Sequence, residues 1–308
     1  MPAVPRFIIA MTNVEPDNIA DAVAALLCRP DPDRMFLLRS QRLRVLALGH
    51  GMAAFLDFMV ALCDAQHQAL KDLPLGPVPD ATAVARAARD GLPAVDAELW
   101  SRDPCWIEAL HRIAATMADV AMPRAARAAL VDLYQMDTRW FEDLANRFLV
   151  GGVPPVDRAH TVFITAALQV YFSRIAAVID VRALHNIPGV VARCPVCGAA
   201  PLAGIIMTPG GSRDLHCSLC ATVWRSAPDL CSQCGATGGR GHHSAAGQGG
   251  RIRAETCDLC RHYLKIIDRS RDDAAEALAD DLASLEFDFQ LVEAGWHRTA
   301  PNPFLLGG

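Results

Sequence analysis

The stretch that decides the fold is CPVCG (194–198), LHCSLCATVW (215–224), CSQCG (231–235) and RIRAETCDLCRHYLKIID (251–268). It holds four C-x-x-C pairs, Cys194/Cys197, Cys217/Cys220, Cys231/Cys234 and Cys257/Cys260, with 19, 10 and 22 residues between successive pairs. A C-x-x-C pair can turn both sulfurs inward on one tight turn, a knuckle. Two knuckles supply the four sulfurs of a tetrahedral site for zinc or a single iron. One such pair is shared with redox motifs, but four within 67 residues point to metal rather than to disulfides. Gly198 and Gly235 follow two of the pairs, where the turn needs positive φ.

Eight sulfurs make two sites, and four knuckles can be joined in three ways: in sequence, nested or crossed. Loop closure and local strand pairing favour joining sequence neighbours, Cys194/Cys197 with Cys217/Cys220 and Cys231/Cys234 with Cys257/Cys260. The ligand set alone does not choose between zinc and iron. His216, His242 and His243 lie near the sulfurs, but each site already has four ligands, so they read as surface loop residues.

Outward from the cysteines, PLAGIIMT and RDLHC read as strands of a first ribbon, RIRAETC and YLKIID as strands of a second. The loop GATGGRGHHSAAGQGG reads as a low-complexity insertion. Residues 17–182 show helical spacing throughout. Examples are DNIADAVAALLCR, DRMFLLRSQRLRVLALGH (Met35, Leu38, Leu43 and Leu46 inward) and a long helix over about 157–182. Downstream, RDDAAEALADDLASLEFDFQLVEAG predicts one helix with Leu278, Leu282, Leu285, Phe289 and Leu291 or Val292 on one side. The tail WHRTAPNPFLLGG should run extended. The predicted organisation is an all-α domain (1–188), two zinc-ribbon-like four-cysteine modules of short antiparallel hairpins (189–227 and 228–270), and a C-terminal helix with tail (271–308).

The chain has 308 residues, 52% hydrophobic and 20% charged, with a formal net charge of −5. That composition excludes wholesale disorder. From residue 190 onward there are 11 basic and 13 acidic side chains, and two M²⁺ ions on eight thiolates add about −4. An acidic metal region argues against a nucleic-acid ribbon, which depends on cationic contacts to phosphate. The uncharged run Ala159–Ser173 has 15 residues, short of the roughly 20 of a membrane span. The N-terminus lacks the apolar segment of a secretory signal, so the cytoplasm is the expected location.

Other features read blandly. Cys28, Cys63 and Cys105 are expected as small buried hydrophobes on helices. Arg34, Arg39, Arg42 and Arg44 read as a solvated face. Of 29 basic residues only Lys71 and Lys265 are lysine, a habit to which no role attaches. No acid–base or nucleophile set emerges, so the chain is not expected to be an enzyme. No pattern encodes an oligomeric state.

The ordered set of four C-x-x-C pairs, followed by ADDLASL and by GWHRTAPNPFLL, resembles the formate dehydrogenase accessory protein family of FdhE type. The likeness is strong over 190–308 and looser over the helical part. It implies a cytoplasmic protein that assists assembly of respiratory formate dehydrogenases and contacts their catalytic subunit before export. It also implies rubredoxin-like, iron-binding sites whose ligands are the eight cysteines, with iron favoured and zinc the alternative. Asp280 and Asp281 match the family's acidic pair and read as a solvated helix face. RSAPDL, after Trp224, and the Gly-, Ser- and His-rich loop at 236–250 depart from the family pattern. The alternatives are a rubredoxin-like electron carrier and a zinc-ribbon structural or nucleic-acid-binding protein.

Overall fold

The structure is a computed structural model and describes residues 27–184, 192–227, 230–300 and 302–305. The expected helix over 17–29 lies mostly outside these residues, as does most of the expected boundary at 185–193. Where the described chain begins, Leu27–Cys28 is a strand (β1), so Cys28 is exposed on a sheet edge and is not a buried helical residue. Cys63 and Cys105 are buried on helices as expected.

Seven α-helices then follow: α1 Pro32–Ala47, α2 Ala53–Ala69, α3 Ala81–Arg89, α4 Cys105–Met117, α5 Arg124–Leu133, α6 Thr138–Leu149 and α7 Arg158–Val178. Carboxylates cap two of them: Asp80 accepts from Ala83 N at the start of α3, and Asp137 from Trp140 N at the start of α6. The bundle is built around α7, in which every residue from Phe163 to Ser173 is buried. Among the described residues, Pro155–Val178 is the one helix long and apolar enough to cross a membrane, and its apolar stretch is 78% buried inside the protein. Packing on several sides accounts for that composition.

The cysteine-rich half forms strands β2 Pro201–Ile206, β3 Arg213–Cys217, β4 Val223–Arg225, β5 Arg240–Ser244, β6 Ile252–Cys257 and β7 His262–Asp268. The supposed insertion at 236–250 is thus no featureless loop: it carries β5, on which His242 and His243 lie, paired with β6. Each ribbon runs knuckle, strand, strand, knuckle, strand. The ribbons join edge to edge, β2 parallel to β7, giving the order β1-β4-β3-β2-β7-β6-β5. At the join, Gly204 pairs with Ile266, and a Cβ there would come within 2.5 Å of the Ile266 side chain. A larger residue there would force the Ile266 side chain to turn aside.

The C-terminal helix is two helices, α8 Ala277–Leu282 and α9 Leu285–Glu293. The break has a local cause. The Ser284 hydroxyl donates to Asp280 O at 2.8 Å, and the buried Lys265 ammonium donates to Asp281 O and to the Ser284 hydroxyl, both at 2.9 Å. These bonds take carbonyls that a continuous helix would use. The break also moves the apolar face: Leu278, Leu282 and Leu291 are buried, whereas Phe289 and Val292 are exposed. Likewise Leu43 of α1 is buried but Leu38 is exposed. The tail adds a short strand β8, His297–Arg298, parallel to β7, and turns back to bury Asn302 and Phe304.

Asp280 and Asp281 are not on a solvated face. They are 3% and 0% exposed and anchor two buried ion-pair clusters. Asp280 receives Arg42 through both carboxylate oxygens, at 2.9 and 2.6 Å, while Arg42 also pairs with Asp272 at 2.7 Å. Asp281 receives Lys265 at 2.9 Å, Asn302 at 2.7 Å and Arg298. Asp288 completes this cluster, accepting from Lys265 at 2.6 Å and from the Tyr263 hydroxyl at 2.7 Å. Arg39 adds a bond to Glu276 at 3.0 Å. Arg39 and Arg42 are therefore not on a solvated face but buried against the start of the C-terminal helix, whereas Arg44 pairs with Asp64 of α2, and Lys265 has a structural role. Burial works against the Asp281 carboxylate, but Arg298 and Lys265 hold it below the ordinary carboxylate range.

Asp281→Asn leaves Asp288 as the one carboxylate facing two buried cations, Lys265 and Arg298, and should destabilise the protein by about 3–5 kcal/mol. Asp214→Asn, which removes a pair with the 40% exposed Arg225, should change stability by less than about 1 kcal/mol. Urea unfolding of both variants beside the parent checks the contrast, and equal effects would contradict it.

Candidate metal centres

Each knuckle is a tight turn closed by the backbone. In the first, Gly198 N donates to Cys194 O at 2.8 Å and Cys194 N to Ala199 O at 2.8 Å. The corresponding turn of the second ribbon repeats this with Gly235 N to Cys231 O and Cys231 N to Ala236 O, both at 2.9 Å. Gly198 and Gly235 have φ of 76° and 73°, as the sequence requires. The other two knuckles make the same bend without glycine: Ala221 has φ 60° and Arg261 φ 58°. Nothing in the sequence marked these two positions.

The knuckles meet in sequential pairs. Cys194 Sγ lies 3.6 Å from Cys220 Sγ, and Cys197 Sγ 3.4 Å from Cys217 Sγ. In the second ribbon the Cys231–Cys260 and Cys234–Cys257 sulfurs are each 3.8 Å apart. Within each group all four sulfurs lie within 4.8 Å of one another, and all eleven cysteines are free thiols. A tetrahedral ion with metal–sulfur bonds of about 2.3 Å has sulfur–sulfur edges of about 3.8 Å. The clusters fit such an ion, and a disulfide, at about 2.05 Å, is absent from both.

Backbone donors point at the sulfurs. Leu219 N and Cys220 N both approach Cys217 Sγ at 3.4 Å, and Gln233 N approaches Cys231 Sγ at 3.4 Å. The Thr222 hydroxyl lies 3.1 Å from Cys220 Sγ. Burial pushes the Cys194 and Cys197 thiols well above their ordinary range. Burial acts on Cys220 as well, but hydrogen bonds from the other three cysteines and from Thr222 outweigh it and lower that thiol. Burial thus opposes full ionisation of the four thiols, and a cation held among them would supply the missing charge.

The helical body holds the first cluster directly. The loop after Pro93 donates Ala94 N to Pro195 O (3.0 Å), Val95 N to Val196 O (2.7 Å) and Ala97 N to Cys197 O (3.0 Å). On the other knuckle Gln169, from the centre of α7, donates to Ser218 O at 2.9 Å. Gln169 in turn accepts from Arg39 and Gln66, both at 3.3 Å. Sequence reasoning missed this cradle, because main-chain contacts leave no residue signature. His216, His242 and His243 belong to neither cluster. His216 is not on a surface loop: it is buried on β3, where desolvation lowers its pKa.

Cys197→Ser should lower the metal content by one ion per chain and speed amide exchange at Ala94, Val95 and Ala97, whose acceptors lie on that knuckle. Cys234→Ser should also cost one ion but leave those amides protected. Elemental analysis with hydrogen exchange checks both, and unchanged exchange in Cys197→Ser would contradict the cradle's dependence on the site.

Comparison with known proteins gives one consistent answer. The family models described as FdhE N-terminal, FdhE central domain and FdhE C-terminal domain match residues 24–188, 193–227 and 230–305. A protein FdhE homolog of Edwardsiella ictaluri is 35% identical over 286 residues, 92% of each chain. Protein FdhE of Escherichia coli K12 is 34% identical over 292 residues, 94% of this chain and 93% of that one. The crystal structure of the FdhE protein from Pseudomonas aeruginosa superposes with a TM-score of 0.82 at 34% identity, covering 92% of this chain and 99% of that one. The chain belongs to the FdhE family.

Proposed function

We propose that this protein is a cytoplasmic accessory factor for the assembly of respiratory formate dehydrogenase, one that holds the catalytic subunit before export. The observation that carries the reading is end-to-end membership of the FdhE family, with both four-cysteine clusters intact. The role is one of binding rather than turnover.

In this reading Cys194, Cys197, Cys217 and Cys220 hold one metal ion, and Cys231, Cys234, Cys257 and Cys260 hold a second. Zinc there would fix the knuckles, whereas iron would in addition accept and return one electron. The family resemblance favours iron. The chain's own contribution is the peptide N–H and hydroxyl donors aimed at the sulfurs, which stabilise thiolate charge. They also keep open a second reading, an electron carrier acting on the enzyme's cofactors.

Tagged protein recovered from anaerobically grown cells of its own host should bring down the formate dehydrogenase catalytic subunit. Absence of that subunit, with the tagged protein folded and metal-loaded, would overturn the accessory reading. Zinc in both sites of the anaerobically purified protein would exclude the electron carrier and leave partner binding in place.

A further inference from the structure

The two ribbons have the same order of knuckles and strands, so their sites can be compared position by position. In the first, Cys194, Cys197, Cys217 and Cys220 are all 1% exposed or less. The residue before the second cysteine of each knuckle, Val196 or Leu219, is covered as well. In the second ribbon Cys231 and Cys257 are buried, but Cys260 is half-buried and Cys234 is exposed. The residues matching Val196 and Leu219 are Gln233, which is exposed, and Leu259, which is 70% exposed against 4% for Leu219.

The backbone repeats the contrast. Carbonyls of both first-cluster knuckles, at Pro195, Val196, Cys197 and Ser218, accept hydrogen bonds from the helical body. Among the described residues no backbone amide of the helical body reaches a knuckle of the second cluster. Opening the first site therefore requires the helical body to separate from the sheet. The second site needs only an approach from solvent on the Cys234 side.

We propose that the second cluster is the exchangeable metal site of this protein, loaded and unloaded by soft-donor small molecules such as low-molecular-weight thiols, while the first stays filled. The inference rests on the reading that both clusters hold metal. Exchange at a four-coordinate thiolate site proceeds by entry of a fifth ligand, so it is controlled by access to one face of the tetrahedron. As the incoming donor bonds to the metal, the bond to the Cys234 or Cys260 sulfur breaks. The released thiolate would take up the proton that the incoming thiol gives up on binding, and no electron is transferred.

The test uses the intact protein purified with its own metal. Metal per chain is counted by native mass spectrometry before and during treatment with glutathione, with EDTA to trap the released ion, and cysteines exposed at each time point are alkylated with excess N-ethylmaleimide and mapped by peptide mass spectrometry. Cys28, exposed, is the internal standard for unhindered labelling. One ion should leave about tenfold or more faster than the other, the gap between local and larger-scale opening. Cys231, Cys234, Cys257 and Cys260 should become labelled in that phase, with Cys194, Cys197, Cys217 and Cys220 protected until the slower one. Simultaneous loss, or labelling of the first cluster first, would overturn the inference while leaving metal binding intact. A protein that starts with no metal would instead overturn the metal reading, and this inference with it.

Discussion

Four sulfurs buried at one point are the constraint on which the rest of the structure depends. Cys194, Cys197, Cys217 and Cys220 sit out of water at van der Waals separations. Burial opposes their ionisation, and four neutral thiols bind one another weakly. A dication held there would reverse that balance by stabilising thiolates on two knuckles at once. Because the helical body donates to both knuckles, through the segment 94–97 and through Gln169, an ion held there would tie the bundle to the sheet. The second ribbon then hangs on the first through the parallel pairing of β2 with β7.

A second fastening runs along the buried charges. Arg39 and Arg42 reach from α1 to the N-terminal turn of α8, while Lys265 and Arg298 bracket Asp281 and Asp288 from the other side. Ions this deep stabilise little in net terms, because desolvation offsets much of the attraction. Their effect is to fix position: one arrangement of α8, α9 and tail satisfies every charge, and displaced arrangements strand one. Gln169 links the two fastenings, since it touches both Ser218 of the first cluster and Arg39 of the charged seam.

The legible parts of the sequence were those whose partners are close along the chain. Cysteine spacing announced the knuckles and their sequential joining, and the short strand-like runs beside them announced β2, β3, β6 and β7. Helical periodicity announced the bundle, and the motif order announced the family. Asp280 and Asp281 were misread because their charged character is local, whereas the cation that buries Asp280, Arg42, lies 238 residues away. Lys265 was passed over for the same reason: a lysine on a strand gives no sign that its ammonium will meet Asp281, Ser284 and Asp288. Those bonds also break the C-terminal helix, which periodicity alone draws as continuous. The glycine- and histidine-rich stretch looked shapeless, yet β6 templates it into a strand through main-chain bonds that are indifferent to side chains.

The central claim is that a cation in the first cluster joins the two halves of the molecule. The most direct measurement is the metal content of anaerobically purified protein, followed by hydrogen exchange before and after complete metal removal under denaturant-free conditions. About two ions per chain are expected, with protection lost across 94–97, both knuckles of the first cluster and β2–β4 once the metal is gone, while the core of α7 stays protected. A metal-free protein with the same protection at 94–97 and in β2–β4 would contradict the claim.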